Sequence, residues 1–437
     1  MGQERAVKVG IVKAKELSVV FHSAYLLNGK SVVGAHVFTL ADVGCHFVPQ
    51  TSDASFTLKD VVIGIGFHWE RKEEQTFCGE LVLMEEDGML RAVNVVPVET
   101  YLTSVISSEM SANASLELLK AHAVISRSWV MRMMESPRAE RLPSLDTDTS
   151  QLSTVNSQLS TVNSQLSAVN SQLSPLTSQL SPLNSQLSTI NYQLSTIHIR
   201  WYDTQNHTGF DVCADDHCQR YQGITRQSNP QVVKAIEATR GQVLTYEGEI
   251  CDTRFSKCCG GMTEVFESCW ENVHHPYLVA KPDPYCNTHD QRILSQVLNN
   301  YDQETHDFYR WTVSYTTAEL SALIQKKSGI DFGQILDLVP MERGASGRII
   351  TLKVVGEKQT VIVGKELEIR KWLSESHLYS SAFEVEKTTD GFILHGKGWG
   401  HGVGLCQIGA SVMGDQGIPY TEILSFYYPH AELTNLW

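Results

Sequence analysis

The sequence has no apolar run of the roughly 18 residues that a membrane-spanning helix requires. Charges interrupt its first stretch, MGQERAVKVGIVKAKELSVV, which lacks the apolar centre of a secretory signal. Met1-Gly2 does not begin a myristoylation signal, because position 6 is Ala6 and not Ser or Thr. As written, the chain is expected in the cytoplasm unless its natural start is missing.

Positive charge is also scarce. Lys and Arg number 35 against 49 Asp and Glu, which gives a formal net charge of −14. Nucleic-acid binding relies on clustered Lys and Arg, so this balance argues against a nucleic-acid partner and says little about a glycan. With 437 residues, 42% of them hydrophobic, the chain is long enough for two or three domains with a sizeable core.

Cysteine is too sparse for a disulfide scaffold in a chain of this length. The cysteines are Cys45, Cys78, Cys213, Cys218, Cys251, Cys258, Cys259, Cys269, Cys286 and Cys406. Eight of the ten lie after residue 200, so metal binding and disulfide formation are both open for that part of the chain.

Strand-forming sequence dominates the start of the chain. Residues 5–98 are rich in β-branched and aromatic residues with polar breaks between them, which predicts a β-rich N-terminal region, placed at 1–92. From Ile199 onward, strands, loops and short helices are mixed. We therefore predict an α+β fold, with the second region at 93–437.

Two helices are predicted where the regions meet. Pro97 opens the first, whose apolar residues recur at steps of three and four. Asn113 or Ser115 can cap the second, which is expected to reach about Glu135.

Residues 150–198 are seven consecutive seven-residue units, from SQLSTVN to YQLSTIH. Their leucines, each followed three residues later by another apolar residue, match a coiled-coil pattern. Charged pairs are missing, and Pro175 and Pro182 would interrupt a helix. We interpret 147–199 as a low-complexity tandem-repeat insertion in the second region, either flexible or marginally helical.

Glu109 is a candidate general acid. It follows Val105 and Ile106 by four and three residues and continues the apolar face of the first helix. Apolar neighbours desolvate a carboxyl group, which favours the protonated form that a general acid needs. Lys120 and Arg127 are seven residues apart on the second helix and could hold an anionic or hydroxyl-rich substrate. A Glu at a helix end with two surface cations explains the same spacing.

Three potential zinc ligands, His207, Cys213 and Cys218, lie within twelve residues. They could converge on one Zn²⁺ and leave a fourth position for water or another group, with His217 as a spare. Two buried thiols and a surface histidine are the alternative.

Two glycine-rich segments are candidates for substrate contact. In HGKGWGHGVG, every second residue from 396 to 404 is glycine, so an extended chain would have one bare face that a sugar could approach. Trp399 offers a flat surface on the other face, which also carries His401. A purely structural seam of glycines is the alternative interpretation of this run. Gly260-Gly261 predicts a tight turn or close backbone contact. The adjacent Cys258-Cys259 could be plain buried thiols, disulfides or a second soft metal site.

These segments together resemble the SpoIID/LytB family. YLTSVISSEM followed by ELLKAHAVISRSWV is similar to the family's YLxGVVxxEM and EALKAQAVAARTYA runs. CQRYQG, SKCCGGMTE and GWGHGVGLCQIGA follow in family order. The resemblance covers about 85–136 and 199–437. The sequence departs from the pattern at Thr103-Ser104, His122, Cys258-Cys259, Cys406 and Ile408.

The resemblance implies a catalytic acid at Glu109, basic positions at Lys120 and Arg127, and zinc on the His207, Cys213 and Cys218 group. Gly260, Gly261, Trp399 and His401 are expected to contact the substrate.

The implied activity is a peptidoglycan lytic transglycosylase that cleaves between N-acetylmuramic acid and N-acetylglucosamine and leaves 1,6-anhydro ends. Strands stripped of stem peptides would be preferred, and the implied location is the cell envelope. A non-catalytic, glycan-binding enhancer of an N-acetylmuramoyl-L-alanine amidase is the alternative, with that amidase as partner. A metal-dependent hydrolase centred on the zinc group is a third option.

Overall fold

Strands dominate the first hundred residues, and helices alternate with strands after them, in the computed structural model of this chain. The structure describes residues 3–63, 71–111, 114–135, 196–202, 207–215, 217–226, 230–297 and 308–437. The predicted α+β class is confirmed. Asn113 and most of the repeat block, 150–195, lie outside the described residues. Within the described ranges, no helix combines the length and the apolar character needed to cross a membrane.

Among the residues that the structure describes, the strands fall into five sheets. The first eight are β1 (Ala6–Ala14), β2 (Glu16–Leu27), β3 (Lys30–Thr39), β4 (His46–Pro49), β5 (Ser55–Ile63), β6 (Arg71–Cys78), β7 (Glu80–Glu86) and β8 (Met89–Pro97). The next seven are β9 (Thr196–Ile199), β10 (Val212–Cys213), β11 (Gln242–Tyr246), β12 (Glu249–Ile250), β13 (Phe255–Ser256), β14 (Arg310–Thr316) and β15 (Ile335–Arg343). The last six are β16 (Ile349–Gly356), β17 (Thr360–Gly364), β18 (Phe383–Lys387), β19 (Gly391–Lys397), β20 (Leu405–Cys406) and β21 (Glu432–Asn435).

The helices of the described residues are mostly short. They are α1 (Val98–Glu109), α2 (Leu116–Glu135), α3 (Pro230–Ala238), α4 (Gln291–Val297), α5 (Thr317–Ser328), α6 (Glu366–Trp372), α7 (Gln407–Asp415) and α8 (Tyr420–Tyr427).

The β-rich N-terminal region forms most of one nine-stranded sheet, ordered β10-β1-β8-β7-β4-β2-β5-β6, with β3 paired to β2. Its strands alternate buried and more exposed residues, as in β2, where Leu17, Val19 and Phe21 are buried. Strand β10 lies parallel to β1, with Gly10 opposite Cys213. A segment from beyond residue 200 therefore completes the edge of the N-terminal sheet.

The two predicted helices are present, and they pack into the same core as this sheet. The apolar face of α1 is completely buried, and α2 ends at Glu135 as predicted. Ser115 caps α2, because its Oγ accepts a hydrogen bond from the Leu118 N–H at 3.3 Å. The core contains Val7 from β1 and Val130 from α2. One core is therefore shared by residues on both sides of the predicted boundary at residue 92.

A second hydrophobic core lies within residues 311–394 and is formed by two further sheets with α5 and α6. One of these sheets has the order β15-β16-β17-β9. Strand β9 lies parallel to β17, with Thr196 opposite Val361. The end of the predicted insertion is thus part of a sheet of the second core.

A buried ion pair joins α1, α2 and the start of β11. Arg127 Nε and one terminal nitrogen donate to the two carboxylate oxygens of Glu99 at 3.1 and 2.5 Å. The other terminal nitrogen donates to the Gln242 carbonyl at 3.0 Å, and the Gly241 N–H donates to Glu99 at 3.0 Å. The side chains of Arg127 and Glu99 are 0% and 7% exposed. Both charged groups of the pair are therefore hydrogen-bonded inside the protein.

Replacing Arg127 with alanine should strongly destabilise the fold, because Glu99 would remain buried without its partner. The expected loss is about 3–5 kcal/mol in the free energy of unfolding, measured by denaturant titration. Arg5→Ala is the control: its pair with Glu135 is nearly half exposed, at 46% and 47%, and should contribute about 1 kcal/mol or less. Equal losses in the two variants would contradict the structural role of the buried pair.

Candidate functional site

Glu109 is the last residue of α1 and is half-buried. The buried face of α1 ends just before it, at Val105 and Ile106. At Met110 the chain becomes extended, and the Met110 N–H donates a hydrogen bond to the Ile106 carbonyl at 2.9 Å at the end of the helix. The carboxyl group therefore projects from the end of a helix whose orientation is fixed by the core.

The CQRYQG segment holds α1 from one side. Tyr101 donates its hydroxyl proton to Gln219 Oε1 at 3.1 Å, and the rings of Tyr101 and Tyr221 stack with centroids 5.1 Å apart. The Gln222 N–H donates to Ser104 Oγ at 3.1 Å. Two of the segments with family resemblance are thus packed against each other.

Burial raises the pKa of Tyr101 well above the ordinary tyrosine value, and the charges of Cys218, Cys213 and Glu109 raise it further. Glu109 and the two thiols are thus near enough to the buried Tyr101 hydroxyl to affect its pKa.

The predicted zinc ligands converge, with one addition. The ligand atoms of His207, Cys213, His217 and Cys218 all lie within 4.8 Å of one another. Cys218 Sγ is 3.4 Å from His207 Nε2 and 3.4 Å from His217 Nδ1, and Cys213 Sγ is 3.7 Å from His217 Nδ1. His217, which the sequence suggested only as a spare, is the fourth member of the group.

Two thiols and two imidazoles are a donor set that suits a tetrahedral metal ion. Hydrogen bonding with the Cys218 thiol and with both imidazoles lowers the pKa of Cys213, although burial opposes this shift. Three members of the group, His207, Cys213 and His217, line a cavity of about 260 Å³, which Arg91 and Tyr221 also line. These four side chains could therefore hold a metal ion beside the segment that supports α1.

The two glycine-rich segments lie side by side. Cys258 and Trp399 exchange backbone hydrogen bonds at 3.1 and 2.8 Å, and the Glu264 N–H donates to the Gly402 carbonyl at 2.9 Å. A Cβ atom at Gly260 would lie 2.8 Å from the Gly398 nitrogen. The close backbone contact predicted at Gly260 is confirmed.

The expected extended strand with a bare face is wrong. From 398 to 404 the alternate glycines have φ values between +71° and +86°, so the chain winds between β19 and β20. Protein atoms cover the side of these glycines where side chains would project. A Cβ at Gly402 would lie 2.4 Å from Arg348 Cζ, and one at Gly404 would lie 1.9 Å from the Arg254 carbonyl oxygen. Gly398, Gly400, Gly402 and Gly404, with Gly260 packed against Gly398, form a structural contact between the two segments. This glycine seam was the alternative interpretation.

Arg348 links the two segments of this seam through hydrogen bonds, and it was not predicted from the sequence. It is completely buried and donates to the Gly400 carbonyl at 3.0 and 2.9 Å, and to the Cys259 carbonyl at 3.2 Å. Nearby, buried Glu264 accepts the Ser346 hydroxyl proton at 2.6 Å. No spacing pattern links Arg348 to segments about 50 and 90 residues away, so the sequence offered no signal for it.

Trp399 and His401 lie on the same loop in different surroundings. Trp399 is half-buried between the rings of Phe308 and Tyr379, with centroids at 4.8 and 4.9 Å. His401 Nδ1 accepts the Val403 N–H at 3.1 Å. Desolvation, with the nearby charge of Arg254, lowers the pKa of His401 well below the ordinary histidine value. The loop thus carries a half-buried indole and an imidazole whose protonated form is disfavoured.

Lys120 and Arg127 do not form the shared cationic surface that their spacing suggested. Lys120 is partly exposed, pairs with Glu117 at 2.7 Å and lies 5.5 Å from the centre of the Tyr420 ring. Arg127 is enclosed in the ion pair with Glu99. Lys120 can reach a ligand, whereas Arg127 supports the helices from within.

Comparison with known proteins finds two matching family models. The model described as Stage II sporulation protein matches residues 86–173 and 189–246, which include Glu109, Lys120 and the His/Cys group. A model described as a domain of unknown function matches residues 264–404, which include Trp399 and His401.

Similar proteins occur in two bacterial genera. The amidase enhancer of Bacillus subtilis is 30% identical over 258 residues, which are 52% of this chain and 36% of that protein. The chain thus matches little more than a third of the enhancer's length. Stage II sporulation protein D of Bacillus subtilis is 23% identical over 353 residues, 79% of this chain and 76% of that protein. An uncharacterised protein of Brachyspira hyodysenteriae is 25% identical over 359 residues, 82% and 72% of the two chains.

Gly404→Ala should disrupt the glycine seam, because the new Cβ would collide with the Arg254 backbone carbonyl in addition to straining the backbone. Gly417→Ala is a matched control, since Gly417 has φ of +76° but open space around the new Cβ. It should cost only the backbone strain, about 1–2 kcal/mol. Denaturant unfolding should show a clearly larger loss for Gly404→Ala, and similar losses would mean that the seam tolerates side chains.

Proposed function

Since this chain belongs to the SpoIID/LytB family, we propose that it acts on the glycan strands of bacterial peptidoglycan as a lytic transglycosylase. The observation that carries the proposal is the position of Glu109. It is a half-buried carboxyl at the end of a helix that is locked into the core, inside the segment matched by the sporulation-protein model.

In the proposed reaction, Glu109 donates its proton to the glycosidic oxygen between N-acetylmuramic acid and N-acetylglucosamine. The bond from that oxygen to C1 of the muramic acid breaks, and the C6 hydroxyl of the same sugar bonds to C1. The C6 hydroxyl proton returns to Glu109, and the product carries a 1,6-anhydro end. Because the nucleophile is intramolecular and is not a water molecule, a second catalytic carboxylate is unnecessary.

Several side chains are proposed to hold the glycan. Lys120 is a partly exposed cation on α2, and the half-buried Trp399 would provide an aromatic face for a sugar ring. Gly260, Gly261 and His401 would form the adjoining backbone surface. Strands without stem peptides are the proposed substrate, and the cell envelope is the proposed location.

A second candidate function is a non-catalytic, glycan-binding enhancer of an N-acetylmuramoyl-L-alanine amidase. The observation that favours it is the similarity to a protein named amidase enhancer, at 30% identity over 258 residues. In that case the same surface would bind glycan, a cell-wall amidase would be the partner, and Glu109 would not act as an acid.

We further propose that His207, Cys213, His217 and Cys218 bind one Zn²⁺ with a structural role. The four donors form a closed set, whereas a catalytic zinc site keeps one position open. Cys213 is in β10, which pairs with β1, and Cys218 begins the segment that holds α1. Bound zinc would therefore fix the N-terminal sheet to the support of Glu109, without taking part in the proton transfer.

Glu109→Gln should nearly abolish formation of 1,6-anhydro ends. Glutamine keeps the size and the hydrogen-bonding capacity of the side chain but cannot deliver a proton, and a positioned acid contributes about 10²–10⁴-fold in rate. The measurement is mass spectrometry of the products after incubation with denuded glycan strands. Co-sedimentation with insoluble denuded glycan should show that binding survives.

Glu135→Gln is the matched control, because Glu135 ends α2 as Glu109 ends α1, and it should cleave at the wild-type rate. Equal product from the Glu109→Gln variant and the wild type would remove Glu109 as the acid. Binding without product from either protein would favour the amidase-enhancer function.

The variant Cys213→Ser Cys218→Ser should lose about one Zn²⁺ per chain, measured by elemental analysis of protein purified without chelators. Cys45→Ser Cys78→Ser is the control, since it removes two partly buried thiols outside the group and should keep the wild-type zinc content. Unchanged zinc in the first variant would refute the assignment of these ligands.

A further inference from the structure

A second group of thiols lies beside the glycine seam, and the proposed function does not use it. Cys259, Cys286 and Cys406 surround the carboxylate of Asp283, and all four residues are at most 3% exposed. Cys259 Sγ is 3.5 Å from Cys286 Sγ and 3.2 Å from Asp283 Oδ2. The four residues come from three separate parts of the chain: the segment after β13, the loop before α4, and the start of α7.

We propose that Cys259, Asp283, Cys286 and Cys406 form a second metal site, which binds a thiophilic divalent cation such as Zn²⁺. One ligand atom from each residue lies within 4.8 Å of all the others. Around a tetrahedral zinc with Zn–S bonds of about 2.3 Å, sulfur atoms are about 3.8 Å apart, so the observed separations need only small adjustments. Three thiolates and one carboxylate would complete a closed, four-coordinate site.

The surroundings of these ligands support a metal site independently of their spacing. Cys406 Sγ accepts two backbone hydrogen bonds, from the Cys259 N–H at 3.3 Å and the Gly409 N–H at 3.4 Å. Asp283 is held by the Tyr427 hydroxyl at 3.0 Å and by the Tyr285 N–H at 2.9 Å. Such outer hydrogen bonds fix the orientation of metal ligands and stabilise their negative charge.

A small cavity adjoins one of the four ligands. Cys286 lines a cavity of about 140 Å³, together with His289, Phe308 and Arg310. Cys286 is therefore the ligand through which an ion from this cavity would first reach the group.

A disulfide is the competing use of these thiols, and the structure favours the metal. A Cys259–Cys286 disulfide would consume two sulfurs and leave the Cys406 thiol and the buried Asp283 carboxylate at the same point. Burial of a carboxylate without a compensating positive charge is unfavourable. A divalent cation uses all four groups, and Cys258, whose thiol interacts with Cys286 and Cys406, adds a further soft donor nearby.

The site would cross-link the parts of the chain that shape the seam. Cys259 immediately precedes Gly260, and Cys406 immediately follows the seam and caps α7. A Cβ at Gly409 would lie 2.6 Å from Asp283 Oδ2, which shows how tightly α7 meets the loop before α4. The metal would hold Gly260 and the loop of Trp399 in place whether or not the chain cleaves glycan.

The test uses the Cys213→Ser Cys218→Ser protein, so that the first metal group does not contribute. This protein should retain about one Zn²⁺ per chain, and adding Cys286→Ser Cys406→Ser should remove it. Co²⁺ exchanged into the retained site should give a thiolate-to-metal charge-transfer band and the intense visible bands of tetrahedral cobalt. If adding Cys286→Ser Cys406→Ser prevents folding, Asp283→Asn is the second test. This substitution barely changes the side chain's size and should alter the cobalt spectrum.

Cys251→Ser is the matched control, because it removes an equally buried thiol outside the group and should leave zinc and the cobalt spectrum unchanged. A Cys213→Ser Cys218→Ser protein that contains no zinc and binds no Co²⁺ would overturn the proposal. So would a Cys259–Cys286 disulfide found by peptide mapping of protein purified under reducing conditions and then exposed to air with Zn²⁺ present. Neither result would bear on glycan cleavage by Glu109.

Discussion

The buried pairing of Arg127 with Glu99 is the interaction on which the rest of the candidate site depends. It joins the first turn of α1 to the middle of α2 and to the chain at Gln242, so the three elements cannot shift independently. Because α1 is only twelve residues long, fixing its start and its apolar face also fixes the direction in which Glu109 projects. Arg127, which the sequence suggested as a substrate-binding residue, thus orients the candidate acid Glu109 from a distance.

The glycine seam places a similar constraint on the other half of the site. Two loops approach so closely that backbone contacts replace side-chain packing, and Arg348 bonds to carbonyls on both loops. A buried guanidinium needs several acceptors, and carbonyls that point inward from winding glycine loops supply them. The aromatic face of Trp399 is therefore held by main-chain geometry and a single buried cation.

Local patterns predicted the features that depend on neighbouring residues. The β-rich start, the two helices, the Ser115 cap and three of the four His/Cys residues follow from periodicity, capping chemistry or short spacing. The features that were missed or wrong depend on contacts between distant residues. The winding glycines pack against the Arg348 side chain and the Arg254 backbone, and the buried Arg127 is paired with Glu99. Residue spacing contains no information about such partners.

The two proposed metal groups differ in what they would connect. The His/Cys group lies within twelve residues, where β10 pairs with β1, whereas the Cys/Asp group brings together the segment after β13, the loop before α4 and the start of α7. Bringing such distant segments to one point costs conformational entropy. A bound cation supplies strong bonds at one point without requiring a larger core. In the two proposed sites, Cys213 and Cys218 would fix the support of α1, and Cys259, Cys286 and Cys406 would cross-link the segments that shape the glycine seam.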